Sequence, residues 1–128
     1  MREEIYPQPS KEAASRRREL APNVQAAWEA FNKSVFADGA LPAKTKQLIA
    51  VAVAHVTQCP YCIQGHTKGA LRHGATKQEI MEAIWVAAEM RAGGAYAHSL
   101  ISLAAMEEQY SSASSEQAVA CTTPSHHQ

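Results

Sequence analysis

Leu48-Ile49-Ala50-Val51-Ala52-Val53-Ala54-His55-Val56 decides the fold, because branched residues at alternate positions suit a buried strand while the length and flanks suit a helix. The run continues unbroken from Pro42-Ala43-Lys44-Thr45-Lys46-Gln47 and interleaves its branched residues with alanine, the best helix former. It is long enough for about four turns. The segment is therefore read as a central helix, buried nearly all round.

The neighbours on both sides also read as helices. From Pro22, a good first-turn residue, Val24, Ala27, Trp28, Phe31 and Val35 recur at helical spacing, and Asp38-Gly39 is a stop. After Thr57, Cys59 directly before Pro60 marks a break and a restart, since proline is tolerated at the first helical position. His73-Gly74 ends that helix, and Thr76-Lys77-Gln78-Glu79 reads as a capping box, with Ala75 and Ile80 as a staple. The last helix carries Ile80, Ile84, Ala87 and Ala88 on one face. It is expected to be interrupted or weakened at Gly93-Gly94 and to resume through Tyr96, Leu100 and Leu103. The fold class is thus all-α, one helical bundle over residues 11–110. Residues 1–10, with Pro7 and Pro9, are expected to be loose, and residues 111–128, which include Cys121, to be a disordered tail.

Composition narrows the function. In 128 residues, 12 Lys plus Arg balance 12 Asp plus Glu, so no net field favours nucleic acid or an anionic membrane. Arg16-Arg17-Arg18 reads as a solvated helix face. The start Met1-Arg2-Glu3-Glu4 has no apolar stretch of the secretory kind behind it, and the run from Leu48 to Val56 is too short to span a bilayer. A soluble, cytoplasmic protein is expected. Three cysteines, an odd number, do not make a stapled secreted framework.

Two of those cysteines carry the chemistry. In Cys59-Pro60-Tyr61-Cys62, followed by His66, the thiols and the imidazole project within about 60° of one another on one helical face. A thiol at a helix start feels the partial positive charge of unpaired N–H groups, and an imidazole one turn on can take its proton. Cysteines three apart can also close a disulfide, so a dithiol–disulfide cycle is possible and needs no metal or cofactor. Structural zinc, with His55 or His73 as fourth ligand, is the alternative reading, and two packed thiols beside a satisfied histidine is the plainest one. Covalent haem needs histidine where Ile63 stands, a zinc deaminase needs an H-x-E upstream, and a thioredoxin needs a preceding strand.

The stretch from Leu41 through Cys59-Pro60-Tyr61-Cys62-Ile63-Gln64-Gly65-His66 to Gly74-Ala75-Thr76 and Ile80 resembles the carboxymuconolactone decarboxylase family, in its alkylhydroperoxidase D-like branch. The resemblance covers roughly Pro22 to Met106. It implies helical hairpins that assemble into a homo-oligomer, trimer or hexamer, and a thiol peroxidase or disulfide reductase acting on a small hydroperoxide with a dithiol or protein reductant. By that analogy Cys62 attacks the hydroperoxide, Cys59 resolves the sulfenic acid and His66 belongs to the proton relay; His55 and Tyr61 are accessory candidates. The helix-start argument alone favours Cys59 as the lower-pKa thiol, but His66 lies one turn from Cys62, and Cys62 is taken as the attacker.

One position departs from the branch. The relay's usual glutamate, twelve residues before the first cysteine, is Gln47 here, which can orient the imidazole but cannot act as a base. Glu82 or Glu89 from the last helix are the carboxylates expected to substitute. For the lactone decarboxylation that names the family, Arg72 and Arg91 are the candidate cationic clamp, an activity ranked below thiol chemistry. A redox sensor or zinc-stapled oligomer is the non-enzymatic alternative. Independently of the resemblance, the apolar central helix with Trp28 and Trp85 carries more apolar surface than one small bundle covers, which also predicts a homo-oligomer.

Overall fold

The computed structural model describes residues 5–122, and these form five helices in chain order. They are α1 (Lys11–Leu20), α2 (Pro22–Phe36), α3 (Ala43–Thr57), α4 (Pro60–Arg72) and α5 (Lys77–Thr122). The run at Leu48–Val56 lies inside α3, so the helical reading of the deciding segment holds.

Local chemistry sets most of the boundaries. Ser10 caps α1 by accepting the Ala13 N–H at 3.1 Å, and Pro22 opens α2 at its first turn. Pro42 offers no capping side chain to α3, and Asp38 supplies one instead, its Oδ1 accepting the Ala43 N–H at 2.7 Å. Lys46 of α3 returns the favour at the end of α2, its Nζ donating to the carbonyls of Val35 at 2.8 Å and Ala37 at 2.6 Å. The capping box before α5 closes in both directions: the Thr76 N–H donates to Glu79 Oε1 at 2.9 Å and the Glu79 N–H to Thr76 Oγ1 at 3.0 Å. Glu79 also pairs with Lys44 at 2.9 Å, tying the start of α5 to the start of α3.

The core is small and sits where α3 meets α4 and α5. Val51, Ala70, Ala75 and Ile80 form it, with Leu48 and Ile84 packed against it. The staple expected of Ala75 and Ile80 is thus part of the core itself. Alanine at 54 and 70 and glycine at 69 are buried, and their small size lets α3 and α4 approach closely.

Three expectations are corrected. α3 is not buried all round, because Ile49, Val53 and Val56 remain 47%, 52% and 43% exposed in the single chain. Gly93-Gly94 do not interrupt the last helix: α5 runs through them, since glycine costs a helix only about 1 kcal/mol and removes no hydrogen bond. Beyond Tyr110, where a disordered tail is expected, α5 continues to Thr122 through a stretch of mainly Ser and Ala, in which alanine is the best helix former and serine costs only about 0.5 kcal/mol per residue more. Residues 123–128 lie outside the described residues, as do residues 1–4 of the segment expected to be loose. Within that segment, Pro7 is fastened to α4, its carbonyl accepting the Tyr61 O–H at 2.8 Å, and Tyr6 meets the Tyr61 ring edge-on at 6.0 Å.

Candidate functional site

The break between α3 and α4 builds the site. Gln58 turns the chain through the left-handed region (φ 58°), Cys59 follows in extended conformation as the N-cap of α4, and Pro60 starts the helix. A non-glycine residue in that region carries about 1–2 kcal/mol of strain, which the surrounding helices hold in place.

Cys59 does what a capping side chain does, with sulfur in place of oxygen. Its Sγ accepts the Cys62 N–H at 3.3 Å. The Cys62 thiol also donates to it, and together these bonds lower the Cys59 pKa below its ordinary value. The same bond has the opposite effect on its donor: donating to Cys59, and being partly removed from water, raises the pKa of Cys62. Both thiols are free and half-buried.

His66 stands one turn beyond Cys62 on α4. Its Nδ1 lies 2.8 Å from Oε1 of Gln47, and Phe36 of α2 stacks on the ring with centroids 4.9 Å apart and planes 26° from parallel. Partial burial holds the His66 pKa below its ordinary value, favouring the neutral ring. Gln47 itself is buried, 8% exposed.

Cys62 and His66 open together onto a cleft of about 390 Å³ between α2, α3 and α4, whose walls are Val35, Phe36, Ile49, Val53 and Ala54. Lys46 also lines it, but two of its three N–H donors are taken by the α2 carbonyls. Cys59 does not line the cleft. The arrangement presents one thiol to an apolar chamber with an imidazole beside it, and a second, more acidic thiol behind the first.

The other predicted residues lie elsewhere. Tyr61 faces the N-terminal segment. His55 and His73 each turn Nδ1 to a carbonyl of their own helix, Val51 at 2.7 Å and Gly69 at 2.7 Å, and among the described residues no three His, Cys, Asp or Glu side chains converge as metal ligands. Among the described residues the zinc staple therefore lacks a third converging ligand as well as a fourth. Glu82 and Glu89 are exposed on α5 and neither lines the cleft, so the place expected for a substitute carboxylate is held by Gln47 alone. Arg72 is exposed, and Arg91 donates to the Val56 carbonyl at 3.3 Å, so neither clamps an anion in the cleft. Phe36, Lys46 and Gly69 were not picked out in the sequence. Phe36 lies at the end of a helix whose period did not include it, and nothing in the spacing of α4 singled out Gly69.

A helical domain with a Cys-x-x-Cys pair opening one helix and a histidine a turn further on defines a class of cysteine-pair helical proteins. Residues 22–105 match the carboxymuconolactone decarboxylase family, and the chain belongs to that family. It is 67% identical over 86 residues to the uncharacterized protein 4 in the cox locus of Paracoccus denitrificans, spanning 67% of this chain and 78% of that one. Among solved structures, it resembles a carboxymuconolactone decarboxylase family protein of Legionella pneumophila at 33% identity and a TM-score of 0.59, over 62% of this chain and 70% of the other. A Methanobacterium thermoautotrophicum protein is similar at 36% identity and a TM-score of 0.59, over 63% of this chain and 91% of its own. Among the described residues no helix is long and apolar enough to cross a membrane.

Proposed function

We propose that the protein is an alkylhydroperoxidase-like, thiol-dependent oxidoreductase that reduces small organic hydroperoxides through a Cys59/Cys62 dithiol–disulfide cycle. The observation that carries this reading is the shared opening of Cys62 and His66 onto an apolar cleft, with Cys59 in hydrogen-bond contact behind.

Cys62, deprotonated as His66 takes its proton, attacks the terminal oxygen of ROOH. The O–O bond breaks, Cys62 becomes the sulfenic acid, and the alkoxide leaves as ROH with the proton returned from His66. Cys59, already the more acidic thiol, attacks the sulfenic sulfur as thiolate; hydroxide leaves and is protonated to water as the disulfide forms. An external dithiol or protein reductant then supplies two electrons and two protons by thiol–disulfide exchange. A reducing, cytoplasmic setting fits that requirement.

The exposed apolar faces support assembly into a homo-oligomer. Trp28 and Phe31 of α2 are 57% and 60% exposed, and they join Ile49 and Val53 of α3 as apolar surface that the single chain leaves uncovered. Light scattering is expected to give a trimer or hexamer; a monomer at micromolar concentration contradicts this part.

Steady-state assay tests the enzymatic claim. Purified protein with dithiothreitol or a dihydrolipoyl reductant is expected to turn over cumene hydroperoxide many times per active site. A single stoichiometric oxidation without turnover instead identifies a redox sensor.

A further inference from the structure

A buried glutamine amide, that of Gln47, is aimed at the site's imidazole, with a glycine beneath it. A Cβ built on Gly69 falls 2.6 Å from Gln47 Oε1 and 3.0 Å from its Cδ, both well inside contact distance. Only glycine at this position leaves the amide where it is. Gly69 lies three residues after His66 on α4, so one helix supplies both the ring and the socket for the side chain that orients it.

We propose that Gln47, seated on Gly69, is a positioning residue that fixes His66 in its Nδ1–H tautomer and leaves Nε2 as the ring's proton acceptor. The amide oxygen can only accept, so at 2.8 Å the ring nitrogen facing it carries the proton. Phe36, stacked on one face of the ring, restrains its rotation. A neutral amide, unlike a carboxylate, does not favour the imidazolium, so the pair is built to keep a neutral base ready rather than a charged one. The titratable groups around the ring do not reverse this. Lys46 of α3 lines the same cleft with its ammonium turned to the α2 carbonyls, α4 contributes Cys62 and through it Cys59, and α2 presents Phe36, which carries no charge. No residue of α5 lines the cleft.

The catalytic consequence rests on the peroxidase reading above; the geometry does not. The test is 15N NMR of the reduced, full-length protein labelled at histidine, which distinguishes protonated from unprotonated ring nitrogens. Native protein is expected to show His66 as Nδ1–H with an unprotonated Nε2. Gln47→Leu and Gly69→Ala, which remove and displace the acceptor, are expected to shift the ring to the Nε2–H form. Gln47→Glu keeps an acceptor there, so it is expected to retain Nδ1–H and to raise the His66 pKa by about one unit or more. Under the peroxidase reading, kcat/KM for cumene hydroperoxide falls about tenfold or more in the first two variants and recovers in the third. An Nε2–H ring in the native protein overturns the proposal even if no variant folds. So do folded Leu and Ala variants that keep Nδ1–H. The expected tautomer without hydroperoxide turnover sinks the peroxidase reading and leaves Gln47 in its positioning role.

Discussion

The backbone N–H of Cys62 donates to the sulfur of Cys59 at 3.3 Å, so the first cysteine caps the helix that carries the second. That bond and the thiol bond from Cys62 divide the pair into a more acidic and a less acidic sulfur. Cys59 is therefore expected to react faster than Cys62 with iodoacetamide near neutral pH, as followed by peptide mass spectrometry. In Cys62→Ser the thiol donor is replaced and the N–H remains, so Cys59 is expected to keep a depressed pKa. Equal alkylation rates in the native protein contradict the division.

Stability is expected to fall on mild acidification. The folded His66 pKa lies below its ordinary value, so between the two the unfolded chain binds a proton that the folded chain does not. The contribution is nil above the unfolded value, about 6.5, and becomes progressively unfavourable below it. Urea midpoints for native protein and His66→Phe, compared from pH 7.5 to 5, should converge as pH falls. A parallel decline in both proteins places the acid sensitivity elsewhere.

Val51 is fully buried at the junction of α3 with its neighbours. Val51→Ala leaves a cavity that the surrounding alanines cannot close, and is expected to cost about 2 kcal/mol in chemical denaturation. A loss below about 0.5 kcal/mol indicates that the core lies elsewhere in solution.

Gly74 follows α4 with φ 88°, and nothing lies within 4 Å of a Cβ built there. The cost of Gly74→Ala is then conformational alone, about 1–2 kcal/mol. Helix content and thermal midpoint check it, the midpoint falling while the folded spectrum stays native.

The boundaries at Cys59-Pro60, Gly74 and Thr76–Glu79 were legible because each is fixed by atoms within a few residues of one another. Gly93-Gly94 misled because glycine lowers helix propensity without forbidding the helix, and α5 spans the pair. The excess of apolar surface was legible in composition, but not that Ile49 and Val53 carry it, since an apolar pattern reports what wants burial and not which residues one chain covers. Cys59, Cys62 and His66 lie on one helix and were visible from spacing. Gln47 reaches His66 across nineteen residues, and only the family resemblance pointed to it. The socket at Gly69 and the stacking of Phe36 are properties of helix packing with no signature in the chain.

In the proposed cycle Cys62 attacks the hydroperoxide and Cys59 resolves the sulfenic acid. The direct test is rapid-quench mass spectrometry of reduced protein after one equivalent of cumene hydroperoxide, in native protein, Cys59→Ser and Cys62→Ser. The account predicts a Cys59–Cys62 disulfide in native protein, a trapped sulfenic acid on Cys62 in Cys59→Ser, and no fast oxidation in Cys62→Ser. A sulfenic acid on Cys59 in Cys62→Ser, with Cys59→Ser inert, reverses the roles, and oxidation no faster than that of free cysteine in all three contradicts the peroxidase account altogether.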